Sequence, residues 1–214
     1  MIVVKYCNID IIKDADISHY LNSLPLFMRD EILRYKHFPD QKSRLLSRLM
    51  LQESLSDTLA PTCLGDWKRD INNRPIIDNW NAFNITHSSN IVVFVYSTTG
   101  LIGVDIERKT TINYDEIMEH FNSEEKQFID SAPDSISRFY EIWVKKEALL
   151  KAVGVGIVNG LNDFSCIKNT VNYQGKSWFL TEFQIHPEYT CYLCSLNLDE
   201  EIIMQEFNTI GINL

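Results

Sequence analysis

Residues 101–110, LIGVDIERKT, set two acids one residue apart inside a run of apolar, largely β-branched side chains. Such a run reads as a strand, because branched side chains pack well on a pleated surface. Alternate side chains of a strand leave on opposite faces. Asp105 and Glu107 therefore share one face, about 6.6 Å apart along the chain, while Val104 and Ile106 share the other. A solvated acidic face is the ordinary outcome. The apolar flank of Leu101, Ile102 and Gly103 argues against it, since it carries the acids toward the interior. Two carboxylates that close and partly buried repel each other and lose hydration unless a cation sits between them. Hard oxygen donors of this kind suit Mg²⁺. The segment leaves two readings open: a solvated strand face, or half of a metal site.

The rest of the chain supplies elements that could stand opposite those acids. Residues 2–7 read as a first strand. Pro25 suits the first turn of a helix over LFMRDEILRY. Asp40 is the predicted N-cap of QKSRLLSRLMLQESL, on which Leu45, Leu49 and Leu55 form an apolar stripe and Arg44 and Arg48 share a face. DINNRPIIDNW reads as a turn with an extended flank, because Pro75 disfavours helix at Arg74. IVVFVYS and LIGVDIE, joined by Thr98-Thr99-Gly100, read as a hairpin. Helical patterns follow around 113–131 and 136–153, then short strands around 163–171, 176–186 and 189–197, and a tail, EEIIMQEFN, that fits strand or helix. The economical reading is α+β in two halves of similar element order, 1–103 and 104–214, with GVDIE at the seam.

Composition narrows the function classes. The net charge of −9 argues against a general nucleic-acid binder, which needs a basic surface to displace counterions. It leaves room for a small anion held by a local cluster of Arg and Lys. No apolar run is long enough for a membrane span, and the first residues read as a strand rather than a leader. Five cysteines, an odd number in a chain of 214 residues, argue against a disulfide framework and fit reduced thiols in the cytoplasm. Cys191 and Cys194 form one C-x-x-C, but a strand sends residues three apart to opposite faces, and no second pair completes a zinc site.

Two further stretches carry chemistry. In RFYEIWVKKEALLKAVGVG, Trp143, Glu147 and Lys151 recur every four residues, hence as one helical stripe, and Gly154 suits the C-terminal cap. The stripe is either a surface Glu–Lys pair or an acid and a base held rigidly side by side. A lone histidine is more often structural than catalytic, but His87, in FNITHSSN, is flanked by the hydroxyls of Thr86, Ser88 and Ser89, which strengthens the case for an anion site.

Taken in order, Arg74-Pro75, Asn84-Ile85-Thr86-His87-Ser88, Gly103-Val104-Asp105-Ile106-Glu107 and Trp143-x-x-Lys146-Glu147-Ala148-x-x-Lys151 resemble the 4'-phosphopantetheinyl transferases of the surfactin-synthetase-activating type. The likeness spans roughly residues 25 to 195 and is specific at these four blocks. It departs at Thr86, where many members have Ser, at Arg74 for a frequent Lys, and at Asn73 for a Gly. The resemblance implies a pseudo-dimer of two similar α+β lobes with the active site in the cleft between them. It implies transfer of the phosphopantetheine arm of coenzyme A to a serine of an apo acyl or peptidyl carrier protein, with release of 3',5'-ADP. It implies Mg²⁺ held by Asp105, Glu107 and Glu147, and Lys151 near the pyrophosphate. Arg44 matches the residue that meets the 3'-phosphate, and Arg74, Thr86 and His87 belong to the coenzyme A site. Arg29, Arg34 and Lys36 are candidates for further basic contacts.

On this reading Glu147 takes the serine proton, directly or through a bound water, and Lys151 assists catalysis. Glu125 is the next candidate for the base, although Asn122-x-x-Glu125 also reads as a helix-capping pair. A cytoplasmic monomer is expected, with no nucleic-acid or membrane partner. Two rivals remain at this point: a non-catalytic module that binds coenzyme A or a carrier protein, and a metal-dependent phosphohydrolase using the same acids on water.

Overall fold

The computed structural model describes residues 1–156 and 160–209. Two compact units divide the chain. The first is Met1–Thr98 together with the C-terminal stretch from Ile202, and the second is Thr99–Glu201. The units part at Thr98–Thr99 rather than at residue 103, which would have cut a strand in two. The last five residues of the expected 104–214 lobe lie outside the described residues.

In the first unit, β1 (Ile2–Asn8) has neighbours on both sides: antiparallel β5 (Ile91–Ser97) and parallel β10 (Ile202–Glu206). Antiparallel β4 (Ala82–Ser88) completes the order β10-β1-β5-β4. The tail EEIIMQEFN thus forms a strand. Short helices α1 (Ile17–Leu21) and α2 (Leu26–Leu33) lead into α3 (Phe38–Asp57), which buries Leu45, Leu46, Leu49 and Met50 against Phe94 and Tyr96 of the sheet. Helix α3 starts earlier than Asp40 predicts. His37 is its N-cap and Pro39 lies in its first turn, where a missing N–H costs nothing, leaving Asp40 as a first-turn acid. A small hairpin pairs β2 (Trp67–Arg69) with β3 (Pro75–Ile77), and Asn73 takes the left-handed conformation (φ 64°) in its turn. Asn tolerates that region better than most residues, which is why it can stand at a glycine position.

The expected hairpin across Thr98-Thr99-Gly100 does not form. Both edges of β5 are already taken by β1 and β4, so the following strand pairs elsewhere. The hairpin is β4–β5, turned by Ser89-Asn90 with Ser89 at φ 49°.

In the second unit, β6 (Ile102–Arg108), β9 (Tyr189–Ser195), β8 (Lys176–Glu182) and β7 (Thr170–Tyr173) pair antiparallel in the order β6-β9-β8-β7. The expected helix over 113–131 is two pieces, α4 (Asp115–Met118) and α5 (Ser123–Asp130). Residues 163–169 precede the strand they were expected to join. The long helix α6 (Ser135–Val153) packs Val144, Ala148, Leu149 and Ala152 with Trp178, Leu180, Tyr192 and Cys194. Gly154 caps it in the left-handed conformation (φ 82°), as its sequence position predicts. All five cysteines are free thiols; Cys191 and Cys194 are buried in β9, and burial pushes Cys7 and Cys166 up to about 12. No helix among the described residues is long and apolar enough to cross a membrane.

Gly103 sets the approach of β6 to α6. A Cβ there would overlap the Ala148 carbonyl oxygen and the Ala152 backbone nitrogen, with the Ala152 Cα only 2.9 Å away. These are helix backbone atoms that cannot swing aside. Gly103→Ala is therefore expected to cost about 1–3 kcal/mol of stability, as overpacking does, read as a lowered denaturant midpoint with an unchanged slope. An unaltered midpoint would show that the strand and helix are not in rigid contact.

Candidate functional site

The face of β6 that carries Gly103 also carries Asp105 and Glu107, so the close approach to α6 presents both acids to that helix. Helix α6 answers with Glu147 and Lys151, four residues apart. The Lys151 ammonium donates to Asp105 Oδ1 at 2.6 Å. Asp105 and Glu147 are buried, at 3% and 4% exposure. Three acids therefore stand against one lysine.

The electrostatics follow from that count. Burial and the Asp105 charge push Glu147 up to about 7; Lys151 pulls the other way, and Glu107 adds to the rise. Burial alone would lower Lys151, but Asp105, Glu147 and Glu107 together hold it above the ordinary lysine value. Glu147 Oε1 is shielded from water and has no hydrogen-bond partner among the described residues. A buried carboxylate oxygen with no donor among the described residues suits a cation or a proton. Among the described residues no three His, Cys, Asp or Glu side chains converge as a metal-binding group. Lys151 supplies positive charge to Asp105 instead.

Glu125 and Lys146 have a different task. Both are fully buried and pair at 2.8 Å. Glu125 Oε1 accepts from the Cys166 N–H at 2.8 Å, and its carboxylate forms a capping box with Asn122 at the start of α5. Lys146 donates to the carbonyls of Leu161 and Phe164 at 2.5 and 2.9 Å. Together they tie α5, α6 and residues 161–166 into one body. These contacts give Glu125 a structural role, and its capping role is the one its spacing from Asn122 predicts. Trp143 stacks on Phe121, with ring centroids 6.3 Å apart, and packs into the core around Phe139 and Ile142.

The first unit holds a separate basic cavity of about 240 Å³. Arg44, Arg48, Arg69 and His87 line it, with Tyr35, Trp67, Pro75 and Ile85 as apolar walls and Glu31 as its acid. Helical spacing brings Arg44 and Arg48 to one side, as the sequence predicts. Arg44 lies over the Tyr35 ring at 3.6 Å and Arg48 over the Trp67 ring at 4.2 Å. Burial draws Arg48 down to about 10; Glu31 raises it, while Arg69 and Arg44 lower it further, and it stays charged at neutral pH.

Sequence-predicted residues divide around this cavity. Strand alternation puts Ile85 and His87 on the cavity side and turns the buried Thr86 to the other face. Arg74 turns to Asp70, 3.2 Å from its carboxylate, and lines an adjoining cavity of about 200 Å³ that shares Pro75. Arg29 is spent on Leu24 and Asn22, and neither Arg34 nor Lys36 lines the cavity. Arg69, Tyr35 and Trp67 escape sequence reasoning. No spacing links them to Arg44; the β2–β3 pairing and the α2–α3 packing bring them in.

Comparison with known proteins gives a consistent picture. Residues 101–203 match the model of the 4'-phosphopantetheinyl transferase superfamily. The chain is similar to the 4'-phosphopantetheinyl transferase gsp of Aneurinibacillus migulanus, with 30% identity over 86% of this chain and 81% of that protein. It is similar to the 4'-phosphopantetheinyl transferase ffp of Bacillus subtilis, 25% identical over 85% of this chain and 87% of the relative. The transferase psf-1 of Bacillus pumilus is 26% identical over 62% of this chain and 58% of its own.

Two outcomes follow from the charge arrangement. Lys146→Met should lower stability by about 3–5 kcal/mol in chemical denaturation, because Glu125 is left buried without its cation. Replacing both with apolar residues (Lys146→Met with Glu125→Leu) should recover part of that loss. For Glu147 the folded value lies above the unfolded one of about 4.5, so the folded state binds the extra proton. Without divalent cations, stability should fall by up to a few kcal/mol as pH rises from about 4.5 to about 7 and level off above. Glu147→Gln should flatten that slope; a slope unchanged in the variant would rule out Glu147 as its source.

Proposed function

The chain belongs to the 4'-phosphopantetheinyl transferase superfamily and transfers phosphopantetheine to carrier proteins, and from that premise we propose how its residues divide the work on coenzyme A. The basic cavity takes the nucleotide end: Arg44, Arg48 and Arg69 meet the 3'-phosphate, with His87 beside them and the Tyr35 and Trp67 rings as apolar walls. Arg74, on the adjoining side of Pro75, and Thr86 are kept as flanking contacts. The single observation that carries the second half is the buried Glu147 carboxylate, one oxygen of which has no hydrogen-bond partner among the described residues, in the field of Asp105 and Lys151.

Asp105, Glu107 and Glu147 are oxygen donors of the kind Mg²⁺ takes, and their crowding is relieved by a divalent charge. When bound, Mg²⁺ supplies positive charge against the phosphoryl oxygens and the departing 3',5'-ADP. The chain's own residues do the rest. Lys151 offers its ammonium to the pyrophosphate oxygens once Asp105 no longer needs it. Glu147 accepts the proton of the attacking serine hydroxyl. The hydroxyl oxygen bonds to the phosphorus that carries pantetheine, and the bond from that phosphorus to the bridging oxygen breaks. One chain carries every residue this assignment uses, and the expected state is a cytoplasmic monomer. A module that only binds coenzyme A would not need Asp105 and Glu147 buried in one another's field beside Lys151 at such electrostatic cost.

The direct test incubates the protein with Mg²⁺, coenzyme A and an apo carrier protein and weighs the carrier, which should gain one phosphopantetheine. Asp105→Ala should abolish transfer and leave the circular dichroism spectrum unchanged; full activity would remove the cation assignment. Glu147→Gln should lower kcat by roughly 10²–10⁴-fold, the span expected for loss of a general base. Mg²⁺ alone should raise the melting temperature of the wild type and not that of Asp105→Ala.

A further inference from the structure

The basic cavity contains its own anion. Glu31, on α2, is the acid among its lining residues. Its Oε1 accepts from Arg69 Nη2 at 2.9 Å and lies 3.9 Å from Arg48 Nη2. The three guanidiniums come from two unrelated places, α3 and the β2–β3 hairpin, and the charges of Arg69 and Arg44 both act against that of Arg48. Without a counter-charge, three cations converging on a cavity of about 240 Å³ would repel one another. Among the described residues that line the cavity, Glu31 is the carboxylate, and it bridges Arg69 and Arg48.

We propose that Glu31 is a built-in counter-anion that competes with the ligand phosphate for Arg48 and Arg69, and so sets the cavity's affinity and its selectivity for a 3'-phosphorylated nucleotide. This rests on the reading that the cavity takes the 3'-phosphate. The chemistry is a two-charge exchange. A single carboxylate holds Arg69 closely and Arg48 at the edge of ion-pair distance, leaving Arg48 Nε without a hydrogen-bond partner among the described residues. A phosphate dianion, with more acceptor oxygens and more charge, can satisfy guanidiniums that one carboxylate holds unevenly. It must first displace Glu31, or accept its like charge as a neighbour. Either event subtracts from binding, and only from ligands that carry the extra phosphate. Glu31 is thus a specificity-determining residue that weakens binding in return for an ordered empty cavity.

The experiment uses the full-length protein and two commercial nucleotides, 3',5'-ADP and 5'-AMP, which differ by the 3'-phosphate. Calorimetry should show wild type binding 3',5'-ADP more tightly. Glu31→Gln keeps the shape and an acceptor for Arg69 but removes the charge. It should tighten 3',5'-ADP by at least about fivefold, leave 5'-AMP within twofold, and lower KM for coenzyme A without raising kcat. The gain should shrink as salt rises from about 0.05 to 0.5 M, because it is electrostatic. Glu31→Asp, which keeps the charge, should not tighten binding; equal tightening there would assign the effect to packing and overturn the proposal. Unchanged or weaker binding of 3',5'-ADP by Glu31→Gln overturns it as well. If Glu31→Gln does not fold, the same comparison is read from Glu31→Ser. Failure of the underlying reading looks different: wild type itself would not distinguish the two nucleotides.

Discussion

The molecule's chemistry depends on how closely one strand lies against one helix. Gly103 has no side chain to hold β6 away from the backbone of α6 at Ala148 and Ala152. That approach brings Asp105 within 2.6 Å of Lys151 and puts Glu147 in the field of two more carboxylates. A larger residue at 103 would push the elements apart and let water screen the charges. The tension in the site is therefore a packing result before it is an electrostatic one.

Around this contact the charged residues sort by what surrounds them. Lys146 and Glu147 are neighbours in sequence and both buried, yet they do opposite things. Lys146 is satisfied three times over, by Glu125 and two carbonyls, and so is structural. Glu147 keeps a carboxylate oxygen without a donor among the described residues, and so is chemically available. A fully satisfied buried network stiffens a fold, whereas a partly satisfied one stores free energy that a ligand or proton can release. The first unit repeats this logic with opposite sign: Arg44 and Arg48 lie over aromatic faces, Glu31 pairs with Arg69 and Arg48, and Arg48 Nε has no hydrogen-bond partner among the described residues.

Much of the second unit was legible from residue order. Alternation in LIGVDIE put Asp105 and Glu107 on one face, the four-residue spacing put Glu147 and Lys151 on one stripe, and Gly154 marked the helix end; the structure has each of these. Local signals also misled. Thr98-Thr99-Gly100 looks like a hairpin turn, but a turn motif says nothing about whether the strand before it still has a free edge, and β5 has none. Asp40 is a good cap residue, but Pro39 beside it already fits the first turn, so the helix begins earlier. Thr86 does not line the cavity beside His87, because strand alternation turns it to the other face.

What the sequence determined by itself is everything that follows from periodicity and short-range sterics: strand faces, helix stripes, caps, and the set of acids and bases sharing each of them. Whether those groups are satisfied was decided only by tertiary structure. The Arg69–Glu31 pair, the tie from Lys146 to residues 161–164 and the overlap waiting at Gly103 join residues distant in the chain. Spacing along a backbone fixes where a side chain points; its partner, its hydration and hence its proton affinity depend on what the fold brings against it.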